Sequence, residues 1–492
     1  MALEVRDTLK GRRAAVLGSG LAGLAAAVSL AVRGARVLVL EEGTSPAPEM
    51  DEERLGDFRF PASPLVWSGP EVLAELYASA GHRITDFLTL RRLPYSFRLF
   101  RQDEEPLDLP PSPEEFTEAL RILPGVDART ARRFARQAEV FGRRLRRYRQ
   151  GALRDGRGSV LSPQGGLGRL GAPGTTGLGR REPVLDPLLA ACRPLHRTAP
   201  GGTGMAHGLF WEFLRSGGWS AEGGGAALRQ GLLRLCQLLR VRFAFGVRIE
   251  RIELQSGRVR RLSGEGFRTV AVSLVVHTRN PREKLLPLLP ESDKAEVLAK
   301  RWKKLRPAGC RLSWLVAANK RWDKLGALSL FASPEPREEE RFLDRWRLPS
   351  LAPSIMVECP AVLDRAKAPR DRQGMRLTIE VPAPSERFRW NEDRLAEARE
   401  RAIRHVEHAG LDGLSKAIEE DEPRPDEPWA PGRLQPGGWY LGTTADLRRL
   451  PVNRVVEIPG LYLAGCWTQP GRGPSAEILS GMLAAHAASQ DA

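Results

Sequence analysis

The hydrophobic pattern near the start of the chain changes from strand-like to helix-like and back. Ala14 to Leu17 is a short apolar run typical of a buried strand, and glycines follow it directly. Leu24 to Val32 is rich in alanine and is followed by Gly34, which predicts a helix that ends there. Arg36 to Leu40 predicts a second buried strand. The pattern therefore predicts a strand-helix-strand unit whose two strands are parallel.

The turn between the first strand and the helix reads GSGLAG over 18–23. Gly18 permits a tight turn, Gly20 allows close approach of a pyrophosphate to the backbone, and Gly23 allows the helix to pack closely on the strand. The free N–H groups at the helix start then face the phosphates. This spacing predicts a dinucleotide site.

An acidic residue, Glu41, ends the second strand. A carboxylate at this position can accept hydrogen bonds from a ribose diol and would repel a 2′-phosphate. The unit is therefore expected to disfavour NADP.

The far end of the chain repeats the same combination of strand, glycines and helix. A strand-like run over 460–463 leads to Gly465, a glycine- and proline-rich stretch follows over 466–474, and Ser475 to Ala488 predicts a helix. Backbone N–H groups at this second helix start are available to an anionic or carbonyl-rich ligand.

Composition sets limits on these interpretations. The chain has 492 residues, of which 42% are hydrophobic and 28% charged, so it is expected to be a soluble globular protein of two or three packing units. Its most apolar stretch, Ala14 to Val32, is interrupted by glycines and predicts neither a membrane span nor a signal peptide, so a cytoplasmic location with Met1 as the start is expected. Five widely separated cysteines fit neither a disulfide framework nor a metal site.

The two ends together resemble the FAD-dependent phytoene desaturase family, the bacterial-type carotenoid desaturases and their relatives. The segment GLYLAGCWTQPGRGPSAEILSG, over 460–481, carries the most specific part of this resemblance. Phe58 to Phe60, the helix start at Pro70, the glycine-rich entry at 217–228 and the strand over 245–252 resemble further family segments. The resemblance implies an α/β fold with a Rossmann-like FAD-binding domain that is discontinuous and carries an inserted substrate domain.

The same resemblance implies domain limits and site residues. The FAD-binding domain would comprise 1–95, 215–285 and 435–492, and the substrate domain 96–214 and 286–434, with a mobile glycine-rich loop over 151–181. The residues implied to bind FAD are Gly18, Gly20, Leu21, Ala22, Gly23, Glu41, Glu42, Val247, Gly465, Cys466 and Gly471.

The chain also departs from the family pattern. The Gly-Gly-Arg motif usual after the ribose-binding acid is absent, and Arg54 is the candidate substitute. After the third strand, Thr278 and Asn280 replace the usual Asn and Asp. No catalytic acid or base is nominated, because His207 and the other histidines are scattered and no Ser-His-Asp or metal-ligand spacing occurs.

The resemblance implies oxidation of an apolar isoprenoid or carotenoid-like substrate. A hydride would pass to the flavin and a proton would leave the adjacent carbon, so that a double bond forms, and oxygen or a quinone would reoxidise the flavin. Isomerisation is a related possibility. Two further hypotheses stay open: an amine-oxidase-like flavoenzyme, and a catalytically degenerate flavoprotein that binds partners or a membrane.

The net charge of +16 predicts attraction to anionic surfaces. Phe134, Phe141 and Tyr148 recur at helical spacing among arginines that include Arg143, Arg144, Arg146 and Arg147. This basic amphipathic helix either docks on the protein's own core or lies on an anionic membrane, which would make the protein peripheral to the membrane. No nucleic-acid-binding motif accompanies the charge, so a nucleic-acid partner is not expected.

Overall fold

The structure is a computed structural model. It describes residues 7–47, 50–61, 64–110, 113–136, 139–140, 188, 191–192, 216–383, 388–425, 434, 438–439 and 450–492. The strands, numbered along the chain, are β1 (Arg13–Leu17), β2 (Arg36–Leu40), β3 (Glu53–Leu55), β4 (Phe58–Phe60), β5 (Leu90–Arg92), β6 (Phe97–Phe100), β7 (Leu107–Leu109), β8 (Trp219–Ala221), β9 (Arg242–Ala244), β10 (Arg248–Gln255), β11 (Arg258–Glu265), β12 (Val270–Ala271), β13 (Leu274–His277), β14 (Cys310–Ala318), β15 (Leu328–Phe331), β16 (Ile355–Glu358), β17 (Gln373–Val381), β18 (Ile418–Arg424) and β19 (Leu461–Leu463).

Helices pack on at least one face of each of the two main sheets. They are α1 (Leu21–Val32), α2 (Pro70–Ser79), α3 (Pro113–Leu120), α4 (Gly224–Leu238), α5 (Asp293–Lys303), α6 (Pro336–Glu340), α7 (Pro360–Leu363), α8 (Glu392–His408), α9 (Leu414–Ala417) and α10 (Pro474–Gln490). Residues 128–136 are also helical, and short helical turns lie at Ile84–Asp86, Pro281–Leu285, Leu286–Leu288, Arg341–Trp346 and Arg365–Lys367.

The first sheet is parallel and has the strand order β19-β13-β1-β2-β9. The helices α1, α2, α4 and α10 pack on one face, and the antiparallel sheet β10-β11-β12 lies with α5 on the other. Both faces are covered by apolar side chains, as a parallel sheet requires. The predicted α/β class with a Rossmann-like unit is confirmed.

The predicted N-terminal and C-terminal helices are both present and slightly longer than expected. α1 starts at Leu21, directly after the extended residue Gly20, because small residues let the helix begin as soon as the chain leaves the turn. α10 packs along α1, and a Cβ on Gly481 would lie 2.3 Å from the backbone oxygen of Ala22. The two chain ends are therefore in direct contact.

The strand predicted over 245–252 is interrupted in the structure. β9 ends at Ala244 and β10 begins at Arg248, because Gly246 adopts a left-handed conformation with φ 66°. Val247 consequently lies in the loop between them and not within a strand.

The second sheet has seven strands in the order β18-β14-β17-β16-β15-β6-β7. One face carries alternate apolar residues of β14 and β17, such as Trp314 and Leu377, and packs against α8. The proline-rich sequence over 423–428 is typical of a turn, but its first two residues, Pro423 and Arg424, end β18. Pro423 is tolerated there because β18 is an edge strand, where one backbone N–H can be missing.

The strands of the parallel sheet come from within 1–95, 215–285 and 435–492, and those of the seven-stranded sheet from within 96–214 and 286–434. The domain limits themselves stay a prediction. In the helical segment 128–136, Phe134 is 1% exposed and lies in a core with Phe116, at a ring distance of 6.3 Å. The arginines of 143–147, the glycine-rich loop over 151–181 and His207 lie outside the described residues.

Candidate functional site

The N-terminal glycine turn lies at the carboxyl end of β1 and has no room for side chains at two positions. Gly18 has φ 106°, and a Cβ there would lie 2.3 Å from the Thr278 hydroxyl oxygen. A Cβ on Gly23 would lie 2.0 Å from the backbone oxygen of Gly18. The turn thus keeps backbone N–H groups accessible at the start of α1, which suits a phosphate.

The C-terminal glycine turn follows β19 at the same edge of the sheet. Gly465 has φ 98°, and a Cβ there would lie 2.7 Å from the Thr278 backbone oxygen and 3.7 Å from the Cβ of Ala22. Thr278 itself follows β13 and donates its hydroxyl to Leu17 at 2.7 Å. Thr278 therefore joins the two glycine turns.

The carboxylate of Glu41 is buried at the end of β2. Its Oε2 accepts hydrogen bonds from the backbone N–H and the hydroxyl of Ser19, at 2.8 and 2.7 Å. Its Oε1 accepts from the Gly43 N–H at 3.0 Å and from Nη2 of Arg279 at 3.1 Å. Burial would raise the pKa of Glu41, but these hydrogen bonds and the charge of Arg279 together lower it below its ordinary value.

A cleft of about 470 Å³ opens beside these residues. It runs from Gly18 past Glu42 and Val247 to Arg279 and the 283–288 segment. Of the predicted cofactor residues, Gly18, Glu42 and Val247 line the cleft. The others are not among its lining residues: Gly20, Leu21, Ala22, Gly23, Glu41, Gly465, Cys466 and Gly471. A cleft bordered by the first glycine and the end of β2 is the place where a dinucleotide's adenosine half would bind.

His277, at the end of β13, also borders the cleft. Its side chain is 3% exposed, and burial together with the charge of Arg279 lowers its pKa to about 3. This histidine is therefore neutral at physiological pH.

The segment after Gly465 packs on aromatic residues. Trp467 is buried, and its backbone oxygen accepts from the indole N–H of Trp439 at 2.9 Å while the two rings meet edge to face. Cys466 is half-buried and not part of a disulfide, and Gly471 adopts φ 108° in open space. Trp467 therefore packs in the hydrophobic core beside Trp439.

The candidate substitute for the missing Gly-Gly-Arg motif lies on a small hairpin. Arg54 sits in β3, paired with Arg59 of β4, and its side chain is exposed. Its neighbour Glu53 instead turns inward and accepts from Arg376 and Arg424, each at 2.7 Å.

On its second face, the seven-stranded sheet carries a charged region on β14, β16 and β17 beside apolar residues such as Leu315 and Leu330; this charged face was not predicted from the sequence. Arg311 lies opposite Glu380, and Arg376 opposite Glu358, in neighbouring strands. Glu358 is 2% exposed and its Oε1 accepts from the Leu65 N–H at 2.5 Å. Burial, and next the charge of Arg472, lower the pKa of Arg311 to about 9.

This charged face contacts the 61–65 segment through Arg376, which donates to the backbone oxygen of Pro61 at 3.2 Å, and through Glu358. The positive charge of Arg472, from the C-terminal glycine segment, helps to lower the pKa of Arg311. Ser313 and Thr378 add two hydroxyls hydrogen-bonded to each other at 2.8 Å. Alternation within β17 could have indicated this face, since Arg376, Thr378 and Glu380 are every second residue.

Sequence reasoning also missed Ser19 and Arg279, both of which contact Glu41. Ser19 is within the predicted turn, and Arg279 follows the third strand at the point where a parallel sheet collects functional residues. The described residues contain no cluster of three or more potential metal ligands. In the same part of the chain, no helix combines the length and apolar character needed to cross a bilayer.

The comparisons with known proteins agree with this geometry. A family profile described as an NAD(P)-binding Rossmann-like domain matches residues 16–80. The zeta-carotene-forming phytoene desaturase of Myxococcus xanthus is 26% identical over 498 residues, covering 96% of this chain and 93% of that protein. The hydroxyneurosporene desaturase of Rhodobacter capsulatus is 27% identical over 503 residues, covering 96% of each. The chain is homologous to the bacterial carotenoid desaturases.

A solved structure gives the same fold for this carotenoid-desaturase homologue. Putrescine oxidase bound to putrescine superposes with a TM-score of 0.63 at 11% identity, covering 96% of this chain and 98% of that one. At such low identity the likeness shows the fold alone. The predicted resemblance to the phytoene desaturases is confirmed. The predicted oxidoreductase class is confirmed by the same relatives.

Proposed function

We propose that the protein is an FAD-dependent oxidoreductase that desaturates an apolar isoprenoid or carotenoid-like substrate. The observation that carries this proposal is the junction of the two glycine turns across Thr278, in a chain whose carotenoid-desaturase relatives align over 96% of its length. Both turns lie at the carboxyl edge of the same parallel sheet, where one extended coenzyme could contact the two.

The residues present fit a flavin dinucleotide. Gly18 and Gly23 leave the backbone at the start of α1 accessible to a pyrophosphate, and Glu41 offers a carboxylate to a ribose. When bound, FAD supplies the hydride acceptor for oxidation of a C–H bond. The protein's own part is to hold the coenzyme at this edge and to exclude water from it.

The charged face of the seven-stranded sheet bears on the choice of substrate. A purely hydrocarbon substrate has no group to pair with the buried Glu358 and Arg376, so these side chains must stay paired within the protein. Hydrogen bonds from Leu65 to Glu358 and from Arg376 to Glu53 and Pro61 use some of the acceptors and donors of these two side chains. A substrate with a polar end group could pair with the hydrogen-bonding groups of Glu358 and Arg376 that these contacts do not use.

The test begins with the visible spectrum of the purified protein, where bound oxidised flavin absorbs at about 450 nm. Phytoene, a hydroxylated carotene and a set of primary amines are then supplied separately under air, and products are separated by chromatography. We expect flavin absorbance and a product with a longer conjugated system from one of the polyenes. Turnover of amines alone would instead support an amine oxidase, and a protein without flavin would support a binding protein.

A further inference from the structure

The carboxylate of Glu41 has no free hydrogen-bonding position. An ionised carboxylate has about four lone-pair sites. Glu41 accepts two hydrogen bonds from Ser19, one from Gly43 and one from Arg279, at distances between 2.7 and 3.1 Å. A ribose diol that binds Glu41 must therefore displace one of these donors.

Three of the four donors are fixed by the fold. The N–H groups of Ser19 and Gly43 belong to the backbone. The Ser19 hydroxyl is held in place because it also accepts from the Ala47 N–H at 2.8 Å. None of the three can leave without opening the glycine turn or the end of β2.

Arg279 differs from the other donors. Its side chain is 37% exposed, and the ion pairs that hold it are those with Glu41 and Glu42. It borders the cleft together with Gly18 and Val247, so it can swing into the open space beside it. When Arg279 leaves, its guanidinium reaches solvent and the buried Glu41, whose side chain is 7% exposed, keeps its three other hydrogen bonds.

We infer that Arg279 is a latch on the ribose-binding carboxylate, and that a dinucleotide binds only when Arg279 releases Glu41. This specificity-determining role rests on the proposed function. Arg279 then competes with the ribose hydroxyls for Oε1, and its removal strengthens dinucleotide binding. Because Arg279 is one of four donors to Glu41 and is itself partly exposed, the expected gain is about three- to tenfold in affinity.

The test measures binding and not turnover. Protein stripped of flavin is titrated with FAD, with ADP and with 2′,3′-dideoxy-ADP, by calorimetry, in the wild type and in Arg279→Gln. We expect Arg279→Gln to bind FAD and ADP about three- to tenfold more tightly. We expect no gain for the dideoxy compound, because it has no hydroxyls to offer to Glu41.

Lys284→Gln is the matched control. Lys284 borders the same cleft and carries the same charge, but it makes no described contact with Glu41. It should bind FAD no more tightly than the wild type, since it only removes an attraction for phosphate. Arg279→Lys keeps the charge with a single donor group, and its affinity should lie between those of the wild type and Arg279→Gln.

Two results would overturn the latch and leave the proposed function intact. Weaker ADP binding by Arg279→Gln would mean that the guanidinium holds a phosphate, and an equal gain for the dideoxy compound would mean that Glu41 is not involved. Failure of the wild type and both Arg279 variants to bind FAD, in proteins that unfold cooperatively, would overturn the proposed function and the latch with it.

Discussion

The carboxyl edge of the parallel sheet and the charged face of the seven-stranded sheet are held together by different kinds of contact. At the parallel sheet, glycines at 18, 23 and 465 allow backbone groups to meet almost without side chains. At the seven-stranded sheet, long side chains such as Arg376 reach across to the 53–65 segment. Backbone contact tolerates no added atom, whereas a network of long side chains can rearrange around a substitution.

The backbone contacts at the parallel sheet suit a dinucleotide. A dinucleotide is the same molecule in every enzyme that uses it, so its site can be built from fixed backbone geometry. The charged side chains of the seven-stranded sheet instead bond to other parts of the protein, as Glu358 does to Leu65 and Arg376 to Pro61.

The largest expected effect lies at the glycine turn. Gly23→Ala places a Cβ 2.0 Å from the Gly18 backbone oxygen, so strand and helix must separate. We expect a loss of about 3 kcal/mol or more in the free energy of unfolding, measured with urea. Gly81→Ala is the control: it has φ 80° but open space around it, and should lose about 1 kcal/mol. Equal losses in the two variants would show that the turn is not sterically locked.

A smaller effect is expected at Arg376, which joins the charged face of the seven-stranded sheet to the β3–β4 hairpin and the residue after it. Arg376→Met removes the hydrogen bonds to Glu53 and to the Pro61 carbonyl from a side chain that is 9% exposed. Arg424 still donates to Glu53, so the expected loss is about 2 kcal/mol, below that for a fully uncompensated buried charge.

Arg372→Met is the control for the loss of the Arg376 hydrogen bonds. Arg372 pairs with Glu419 at the surface, and its loss should change the free energy of unfolding by less than about 1 kcal/mol. If Arg376→Met were equally mild, the charged face would not contribute to holding the hairpin β3-β4 against the sheet.

The two regions also differ in how far the sequence predicts them. The predicted strand, the glycine turn, the helix and Glu41 all fall within 14–41, so their spacing alone was enough to predict the strand-helix-strand unit at this edge. The charged face brings Arg311 together with Glu380, which is 69 positions later, and with Arg472 from the tail. Each is an ordinary charged residue in its own segment, and only the strand register makes it buried.

The same limit applies within the candidate site. The acid at Glu41 was predicted, but its partner Arg279 lies in the segment after β13, 238 residues away. Local sequence indicates which group a ligand needs and does not indicate which other group competes for it.

The smallest expected effect compares the two regions by their response to acid. His277 at the carboxyl edge has its pKa lowered to about 3, and His405 beneath the seven-stranded sheet has its pKa lowered to about 4, in both cases mainly by burial. The unfolded chain binds a proton at each histidine below about pH 6.5, while the folded chain does not. Stability is therefore full above about pH 6.5 and falls as the pH drops, by about 1.4 kcal/mol per pH unit for each histidine.

Measurement between about pH 7 and 5.5 keeps this effect separate from most carboxylates, whose ordinary pKa values are near 4. His277→Gln should remove about half of the combined slope, and His405→Gln a similar share, because over this range both histidines are neutral when folded. A slope that survives in His277→Gln but disappears in His405→Gln would mean that the carboxyl edge admits water and protons. The carboxyl edge of the parallel sheet would then be less rigid than its glycine contacts indicate, and it would not differ in rigidity from the seven-stranded sheet.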